Sequence, residues 1–343
     1  MPSHVLHDIF ADECLSTYLG GLPITDSARR SLTLGAQGPD LFFHNRRTKP
    51  SGVFLGARMH RSRYGRAVAE MTKAASTEPD ETWTYVLGFA THAILDRRLH
   101  PFINYFSGWF VPGEESTRPL RYMHPFFERV LDVLFCRSKR GRHPSEIDFL
   151  AEVTVPESGL SSVLAVLGAG LRGAYDIDES SLDTRIRNAY SDSIGFYTHS
   201  NQVRVADVAD AIDRARDEAS LRHWLALIHP PVLKEGIDYA NEERRRWTLP
   251  CDDSVVHYET AWELYDAALA DAEEAIRTTY AALCGEGHEP VVHAVGTSDL
   301  SSTRDERCVR AHSIPLPLND AIDEVIATAR RYRENPRDRS RHA

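Results

Sequence analysis

The chain has 343 residues, which is enough for one large domain or two domains of ordinary size. Its content of 42% hydrophobic and 26% charged residues is typical of a soluble globular protein. The formal net charge is −10, from 40 basic and 50 acidic residues, and this acidic excess argues against a general nucleic-acid-binding surface.

Helical periodicity dominates the sequence and predicts an all-α fold. The predicted helices, in chain order, are 5–19, 63–76, 81–100, 125–136, 160–174, 182–199, 205–227, 256–284 and 316–333. The third of these is expected to end at His100, because Pro101 disfavours continuation. Strand alternation is scarce, and VVHAV at 291–295 is the best candidate for a short strand.

The amino-terminal sequence, the lengths of the apolar runs and the cysteines predict the cellular location of the protein. The amino-terminal sequence lacks the pattern of a signal peptide, and no apolar run is long enough for a transmembrane helix. We therefore expect a cytoplasmic protein with reduced thiols rather than a disulfide framework. The cysteines are widely scattered and form no CxxC pair: Cys14, Cys136, Cys251, Cys284 and Cys308.

The most informative pattern is HxxxDxxxH, formed by His92, Asp96 and His100, followed closely by HxxxE, formed by His124 and Glu128. Residues four apart lie on one face of a helix, so two short helices can direct five ligands at one small volume. Burying these groups together without a metal would cost too much free energy. An isolated HxxxD pair could be a simple helix salt bridge, but the joint pattern predicts a metal cluster bridged by Asp96.

Three upstream segments look like further ligand carriers. GAQGPD places Asp40 after a turn rich in Gly and Pro, and GARMH places His60 at the entrance to the next helix. His7 lies on the first helix, with His4 one turn earlier as its competitor. A lone histidine is more often a satisfied or surface residue than a ligand, so His7 and His60 depend on the whole pattern.

In chain order, the segments that carry the resemblance are the first helix with His7, GAQGPD, GARMH, LGFATHAILDRRLHP and YMHPFFE. Together they resemble the zinc-dependent phospholipase C family, which is related to the single-strand-specific zinc nucleases. The resemblance covers roughly residues 1–135 and weakens towards residue 200. It is closest to a bacterial branch of the family that has no secretion signal. It implies an all-α core that holds two to three zinc ions.

The resemblance also implies a ligand set. One zinc would be bound by Asp40, His60, His92 and Asp96, and a second by His100, His124 and Glu128. Asp96 would share a third zinc with His7 and the amino-terminal amine. In secreted members a processed amino-terminal Trp supplies that amine; here, removal of Met1 would expose Pro2, whose amine could take the same place.

A zinc cluster suits phosphoester hydrolysis, because metal ions activate water and offset charge on the phosphoryl oxygens. Asp40 is the best candidate to orient or deprotonate the attacking water. We therefore expect a phospholipase C-like zinc hydrolase that attacks a phosphodiester, with a phospholipid as one candidate substrate. The alternatives are a phosphomonoesterase or nuclease with a soluble substrate, and a non-catalytic metal-stabilised helical protein. An HD-type phosphohydrolase ranks below these, because the His7-Asp8 dyad stands first and not between other ligands.

The strong ligand candidates all precede residue 200, and we place a domain boundary there. Residues 1–200 form the predicted metal-binding domain, residues 201–333 a helical extension that caps the pocket or forms an oligomer surface, and residues 334–343 a disordered basic tail. A weaker metal candidate in the extension combines Cys284, His288, His293, Cys308 and His312. The remaining histidines are interpreted as ordinary helix or loop residues: His199, His223, His229 and His257.

Overall fold

The computed structural model describes residues 4–20, 22, 24–77, 80–177, 179–249, 251–301 and 312–334. Within these ranges the protein is built of helices, apart from one two-stranded antiparallel hairpin. The predicted all-α class is therefore confirmed.

The α-helices are α1 (His4–Tyr18), α2 (Asp26–Ala36), α3 (Val53–Arg61), α4 (Tyr64–Ala74), α5 (Glu81–Ser107), α6 (Met123–Arg140), α7 (Phe149–Val153), α8 (Glu157–Tyr175), α9 (Leu182–Ser200), α10 (Val205–Arg214), α11 (Glu218–Leu225), α12 (Ala261–Leu283), α13 (Glu289–Val295) and α14 (Leu318–Glu334). Short 3₁₀ helices span Gly38–His44, Glu115–Leu120 and Pro144–Glu146. The strands are β1 (Trp247–Leu249) and β2 (Asp252–His257).

Helix α5 is the central element, and it packs against α2, α12 and α1. Asp80 caps its first turn by accepting a hydrogen bond from the backbone N–H of Thr82. Two glycines let α2 and α5 approach closely. A Cβ at Gly88 would lie 2.9 Å from the backbone nitrogen of Ala36, and a Cβ at Gly35 would lie 3.0 Å from that of Phe89. This close crossing brings the end of α2 next to the middle of α5.

The prediction that this helix ends at His100 is wrong, because α5 runs to Ser107 with Pro101 inside it. A proline in a helix interior removes one hydrogen bond and costs about 3 kcal/mol or more. The next turn carries Phe102, Ile103 and Phe106, all of which are buried. Burial of each such side chain contributes about 1.5–3 kcal/mol, which offsets the cost of the proline.

Three further expectations about secondary structure fail. The segment 291–295 is part of helix α13 and not a strand, and Pro290 stands in its first turn, where proline is well tolerated. The helix expected over 256–284 begins only at Ala261, after the hairpin. The helix expected over 205–227 is divided into α10 and α11, and Asp217 caps the second of them.

The expectation of reduced thiols holds for Cys14, Cys136 and Cys284, which are free. It is wrong for Cys251, which is disulfide-bonded. This cysteine stands between β1 and β2, in the hairpin that the helical pattern did not predict.

The chain after residue 200 packs onto helices that precede it. Helix α12 contacts α5, α1 and α4, and α14 contacts α6. Glu334 ends α14, and the remainder of the predicted tail, 335–343, lies outside the described residues. No helix in the described part is both long and apolar enough to cross a membrane. The domain boundary near residue 200 and the oligomer surface stay predictions.

Candidate metal centre

The structure brings eight predicted ligands into three neighbouring groups, which we call the metal cluster. The groups are His7 with His92 and Asp96; Asp40 with His60 and His92; and His100 with His124 and Glu128. Within each group the nitrogen and oxygen atoms lie within 4.8 Å of one another. His92 belongs to the first two groups, and Asp96 connects them to the third, because its Oδ1 lies 3.5 Å from Nε2 of His100.

Five elements supply these side chains. Three successive turns of helix α5 carry His92, Asp96 and His100. Helix α1 carries His7, and the 3₁₀ helix Gly38–His44 carries Asp40. The last turn of α3 carries His60, and the first turns of α6 carry the HxxxE pair. Gly38 makes the approach to α5 possible: its φ is +54°, and a Cβ there would lie 2.7 Å from Nδ1 of His92.

The facing atoms are spaced as the ligands of a single ion would be. Nε2 of His60 lies 3.1 Å from Oδ1 of Asp40, and Nε2 of His92 lies 3.7 Å from Oδ2 of Asp40. Ligands about 2.0–2.2 Å from one tetrahedral ion are about 3.3–3.6 Å apart. The group therefore needs only small adjustments to close around a metal ion.

Two of the histidines are oriented through their second ring nitrogen. Nδ1 of His60 lies 2.8 Å from the carbonyl oxygen of Gly56, and Nδ1 of His92 lies 3.0 Å from that of Ala36. When each Nδ1–H donates to its carbonyl, the Nε2 lone pair faces the cluster. A backbone carbonyl in this role is common among metal-binding histidines, and it fixes both the tautomer and the plane of the ring.

Asp96 stands between the groups and can bridge them. Its Oδ2 lies 3.1 Å from Nε2 of His92 and 3.6 Å from Nε2 of His60. Its Oδ1 lies 3.2 Å from Nε2 of His7 and 3.5 Å from Nε2 of His100. The two oxygens of one carboxylate therefore serve different sets of histidines, as the HxxxDxxxH spacing predicts.

The third group is completed by helix α6. Oε1 of Glu128 lies 3.4 Å from Nε2 of His100 and 3.0 Å from Nε2 of His124. The side chain of His124 is 30% exposed, whereas the other seven side chains of the cluster are buried. Solvent thus reaches the cluster at the His124 side.

The carboxylates of the cluster are ionised at neutral pH. Burial by itself would raise the pKa of Asp40 and Asp96, because it disfavours the charged form. Interactions with His92 and His60 nevertheless hold the pKa of Asp40 below its usual range. His100 and His92 hold the pKa of Asp96 well below its own. Both side chains can therefore act as anionic ligands.

Several buried atoms of the cluster have no hydrogen bond of acceptable geometry. They include both carboxylate oxygens of Asp40, Oδ2 of Asp96, Nε2 of His92, and Nδ1 of His7 and His100. Buried polar groups are otherwise almost always satisfied, and an ion is one of the usual partners when no protein group is available. Imidazole nitrogens and carboxylate oxygens in this arrangement could hold divalent metal ions.

Comparisons of this chain with protein-family models, with curated proteins and with solved structures found no match. What the cluster does must therefore be inferred from its own side chains.

The other described candidates are not part of the cluster. Pro2 and Cys308 lie outside the described residues. Nδ1 of His288 lies 2.9 Å from the hydroxyl oxygen of Thr72, and His312 faces Asp253 at 3.7 Å. Among the described residues, the metal candidates of the carboxyl-terminal part therefore do not form a group.

One group was missed by the reading of the sequence: His4, Asp132 and His229, all buried, with ligand atoms within 4.8 Å of one another. His4 was considered only as a competitor of His7, and His229 was interpreted as an ordinary residue. One signal was present. Asp132 follows Glu128 by four residues and extends HxxxE to HxxxExxxD on the same face of α6.

Metal binding should release a proton from His100. Burial would lower the pKa of its imidazole, but Asp96 and Glu128 outweigh burial and raise it to about 9. At pH 7 a metal must therefore displace a proton, and apparent affinity should rise about tenfold per pH unit between pH 7 and 9 for one proton released. Competition with a chromophoric chelator across this range measures the slope.

Folding of the metal-free chain should show the opposite dependence. Because the pKa of His100 is raised on folding, its ion pairs stabilise the fold fully below about pH 6.5. That stability is lost as the pH rises through about 9.

The prediction of proton release has a direct contradiction. A metal affinity that stays constant from pH 7 to 9 would show that His100 carries no proton before metal binds.

Proposed function

We propose that this protein is a zinc-dependent phosphoester hydrolase of the phospholipase C-like kind, with two or three zinc ions in the metal cluster. The convergence of eight buried or nearly buried His, Asp and Glu side chains, bridged by Asp96, carries the proposal. No simpler role for so many ionisable groups in one interior volume accounts for their shared orientation.

The donor set favours zinc. Its members are imidazole nitrogens and carboxylate oxygens with no thiolate, and the spacing of facing atoms fits a tetrahedral ion. Two ions need no ligand outside the cluster: one is served by Asp40, His60 and His92, and the other by His100, His124 and Glu128. A third would use His7 and Asp96.

Bound zinc would supply an activated water near neutral pH and would offset charge on the phosphoryl oxygens. The protein's own contribution comes from Asp40. Its buried carboxylate, whose pKa lies below its usual range, would be an anion that accepts a hydrogen bond from the attacking water and orients it. It projects from a 3₁₀ helix whose second residue is Pro39, and the fixed φ of this proline restricts the backbone next to Asp40.

A phosphodiester is the proposed substrate class, and the surroundings of the cluster bear on whether it is a lipid. Phe42 and Phe106 are core residues and are not available to an acyl chain. Phe43 is half-buried, and its ring centre lies 5.1 Å from that of His60. Trp109 and Phe110 are also half-buried. Phe43 is thus the aromatic side chain beside the cluster that an apolar group could contact, while a small soluble diester would not need it.

Deep burial supports a second candidate, a non-catalytic protein stabilised by its metal ions. His92 is fully buried, and Asp40, Asp96 and Glu128 are exposed by 2% or less. Coordination shells closed by protein ligands would leave no position for water and no reaction.

One experiment distinguishes these functions. Zinc content per chain is measured together with hydrolysis of phosphatidylcholine, a nitrophenyl diester, a nitrophenyl monoester and single-stranded nucleic acid. We expect at least two zinc equivalents and cleavage of a diester, and Asp40→Asn should lower kcat by about 10²–10⁴-fold. Asp192→Asn is the matched control, because Asp192 is a buried aspartate that binds the backbone of Arg47 and Thr48 instead of the cluster.

Fewer than two zinc equivalents in the wild-type chain would refute the cluster. Full zinc content without turnover of any substrate would favour the non-catalytic protein. Cleavage of monoesters alone would exclude the phospholipase reading and leave the metal chemistry intact.

A further inference from the structure

The buried group His4, Asp132 and His229 has the composition of another metal site, but it already contains a cation. The guanidinium of Arg129 donates from Nη1 to Nδ1 of His4, and the same Nη1 lies 3.3 Å from Oδ2 of Asp132. Arg129 is completely buried. A metal ion among these residues would face a like charge at close range in a medium of low polarity.

The hydrogen bonds of this group point to a structural purpose. Nε2 of His4 lies 3.0 Å from Oδ1 of Asn201, and Nε2 of His229 lies 2.8 Å from Oδ2 of Asp132. Both ring nitrogens of His4 are therefore engaged by protein groups. We call Arg129, His4, Asp132, His229 and Asn201 the anchor network.

Asp132 also caps helix α1 from a different helix. Its Oδ1 accepts a hydrogen bond of 2.6 Å from the backbone N–H of Leu6, the third residue of α1. The first N–H groups of a helix have no partner within the helix, and the positive end of the helix dipole favours an anion there. Asp132 meets both requirements, and Leu6, the residue that it caps, directly precedes His7.

His7 needs such support more than His60 and His92 do. Its Nδ1 has no hydrogen-bond partner in the described structure, unlike Nδ1 of His60 and His92. The direction of its ring is therefore set by the position of α1 and by stacking on His92 at 4.2 Å. Displacement of the start of α1 would move His7 away from Asp96.

Asp132 lies one helical turn after Glu128 on α6. The same stretch of α6 thus presents a ligand of the third group and the cap of the helix that carries His7. His229, which follows α11, and Asn201, which follows α9, tie the anchor network to the later part of the chain.

We propose that Asp132 is a positioning residue of the metal cluster, which caps α1 and fixes His7 opposite Asp96 and Glu128, with Arg129 as the permanent cation of the anchor network. This proposal rests on the proposed function, since it assumes that the cluster binds metal. It assigns part of the chain after residue 200 a role in the site, through His229 and Asn201.

The test is a double-mutant cycle on the full chain between Asp132 and His7, read by zinc affinity in chelator competition and by the visible spectrum of the cobalt-substituted protein. Asp132→Ala should weaken the zinc equivalent that depends on His7 by about 10–100-fold, as loss of a group that orients a ligand does. In the His7→Ala background the same change should cost no further affinity, because both act on one equivalent. Asp132→Asn, which keeps an oxygen for Leu6, should fall between wild type and Asp132→Ala and guards against failure to fold.

Asn241→Ala is the control for general destabilisation. Asn241 is fully buried, and its side chain bonds to the backbone of Arg245, Tyr258 and Glu259, none of which belongs to α1 or α6. It should lower Tm without changing zinc affinity or the cobalt spectrum. Equal zinc affinity for wild type and Asp132→Ala would overturn the positioning role while the proposed function stands. Fewer than two zinc equivalents in wild type would overturn both.

A second measurement tests whether Arg129, and not a metal ion, is the cation of the anchor network. At saturating zinc, His229→Ala should bind as many equivalents as wild type, because the guanidinium and not a metal neutralises this group. Loss of one whole equivalent would show that the anchor network is itself a metal site, and would overturn the assignment of Arg129.

Discussion

Replacement of Asp96 by Asn is expected to lower zinc affinity more than any other single substitution in the cluster. Asp96 faces four histidines: His7, His60, His92 and His100, at 3.1–3.6 Å. The substitution keeps the size of the side chain but removes the charge that both oxygens carry. Loss of a group that only orients a ligand typically lowers metal affinity by about 10–100-fold. We expect a larger loss of zinc affinity for Asp96→Asn, together with the loss of at least one bound zinc equivalent.

The comparison with Asp192→Asn separates charge removal at the cluster from charge removal in the interior. Asp192 is also buried and accepts backbone and side-chain hydrogen bonds, but it faces no group of histidines. Its asparagine variant should lose stability and keep its zinc. If Asp96→Asn binds zinc in wild-type amount and with wild-type affinity, the carboxylate does not bridge the groups.

The same substitution should change the charge state of the metal-free protein. Burial lowers the pKa of both His92 and His100, and the charge of Asp96 is the strongest effect that raises them. Without its charge, the imidazoles should be neutral at lower pH than in wild type, so less proton release should accompany any zinc that still binds. Proton release measured in buffers of different ionisation enthalpy reports this change.

The part of the site that the sequence predicts well is the part encoded by helical period. His92, Asp96 and His100 are four residues apart, and their convergence follows from the geometry of one helix. The HxxxE pair obeys the same rule on α6. Asp40, His60 and His7 have no shared period, and their placement beside α5 was expected only from the resemblance of their segments to a family.

What failed depends on contacts between distant parts of the chain. Pro101 does not stop α5, because the turn that follows it is buried by residues far away in sequence. His229 lies 97 residues from Asp132 and carries no periodic signal. Local propensity and period cannot report such pairs, since tertiary packing decides them.

Gly38 shows how a local motif and a distant contact act together. GAQGPD predicts a turn that presents Asp40, and the structure has this turn in a 3₁₀ helix. The motif does not reveal that the glycine also makes room for His92, 54 residues later in the chain. The positive φ of +54° and the lack of a Cβ are both required at this position.

Gly38→Ala should therefore damage both stability and metal binding. The added Cβ would lie 2.6 Å from Cδ2 and 2.7 Å from Nδ1 of His92, so the ring must move. Strain in the left-handed region costs about 1–2 kcal/mol, and overpacking of a closed interior costs about 1–3 kcal/mol more. Movement of His92 would also break its bond to the carbonyl of Ala36, and zinc affinity should fall at least as far as for loss of an orienting group, about 10–100-fold.

Gly141→Ala isolates the strain from the steric contact. Gly141 ends α6 with φ of +68°, and a Cβ there would meet nothing within 4 Å. Its alanine variant should lose about 1–2 kcal/mol in the free energy of unfolding and keep its zinc affinity, because only the backbone strain is added. If both variants lose the same stability and neither loses zinc, His92 can move aside without a cost in free energy. In that case, its fixed orientation is not required for metal binding. A loss of zinc confined to Gly38→Ala would instead place the origin of that preparation in the contact between the turn and α5.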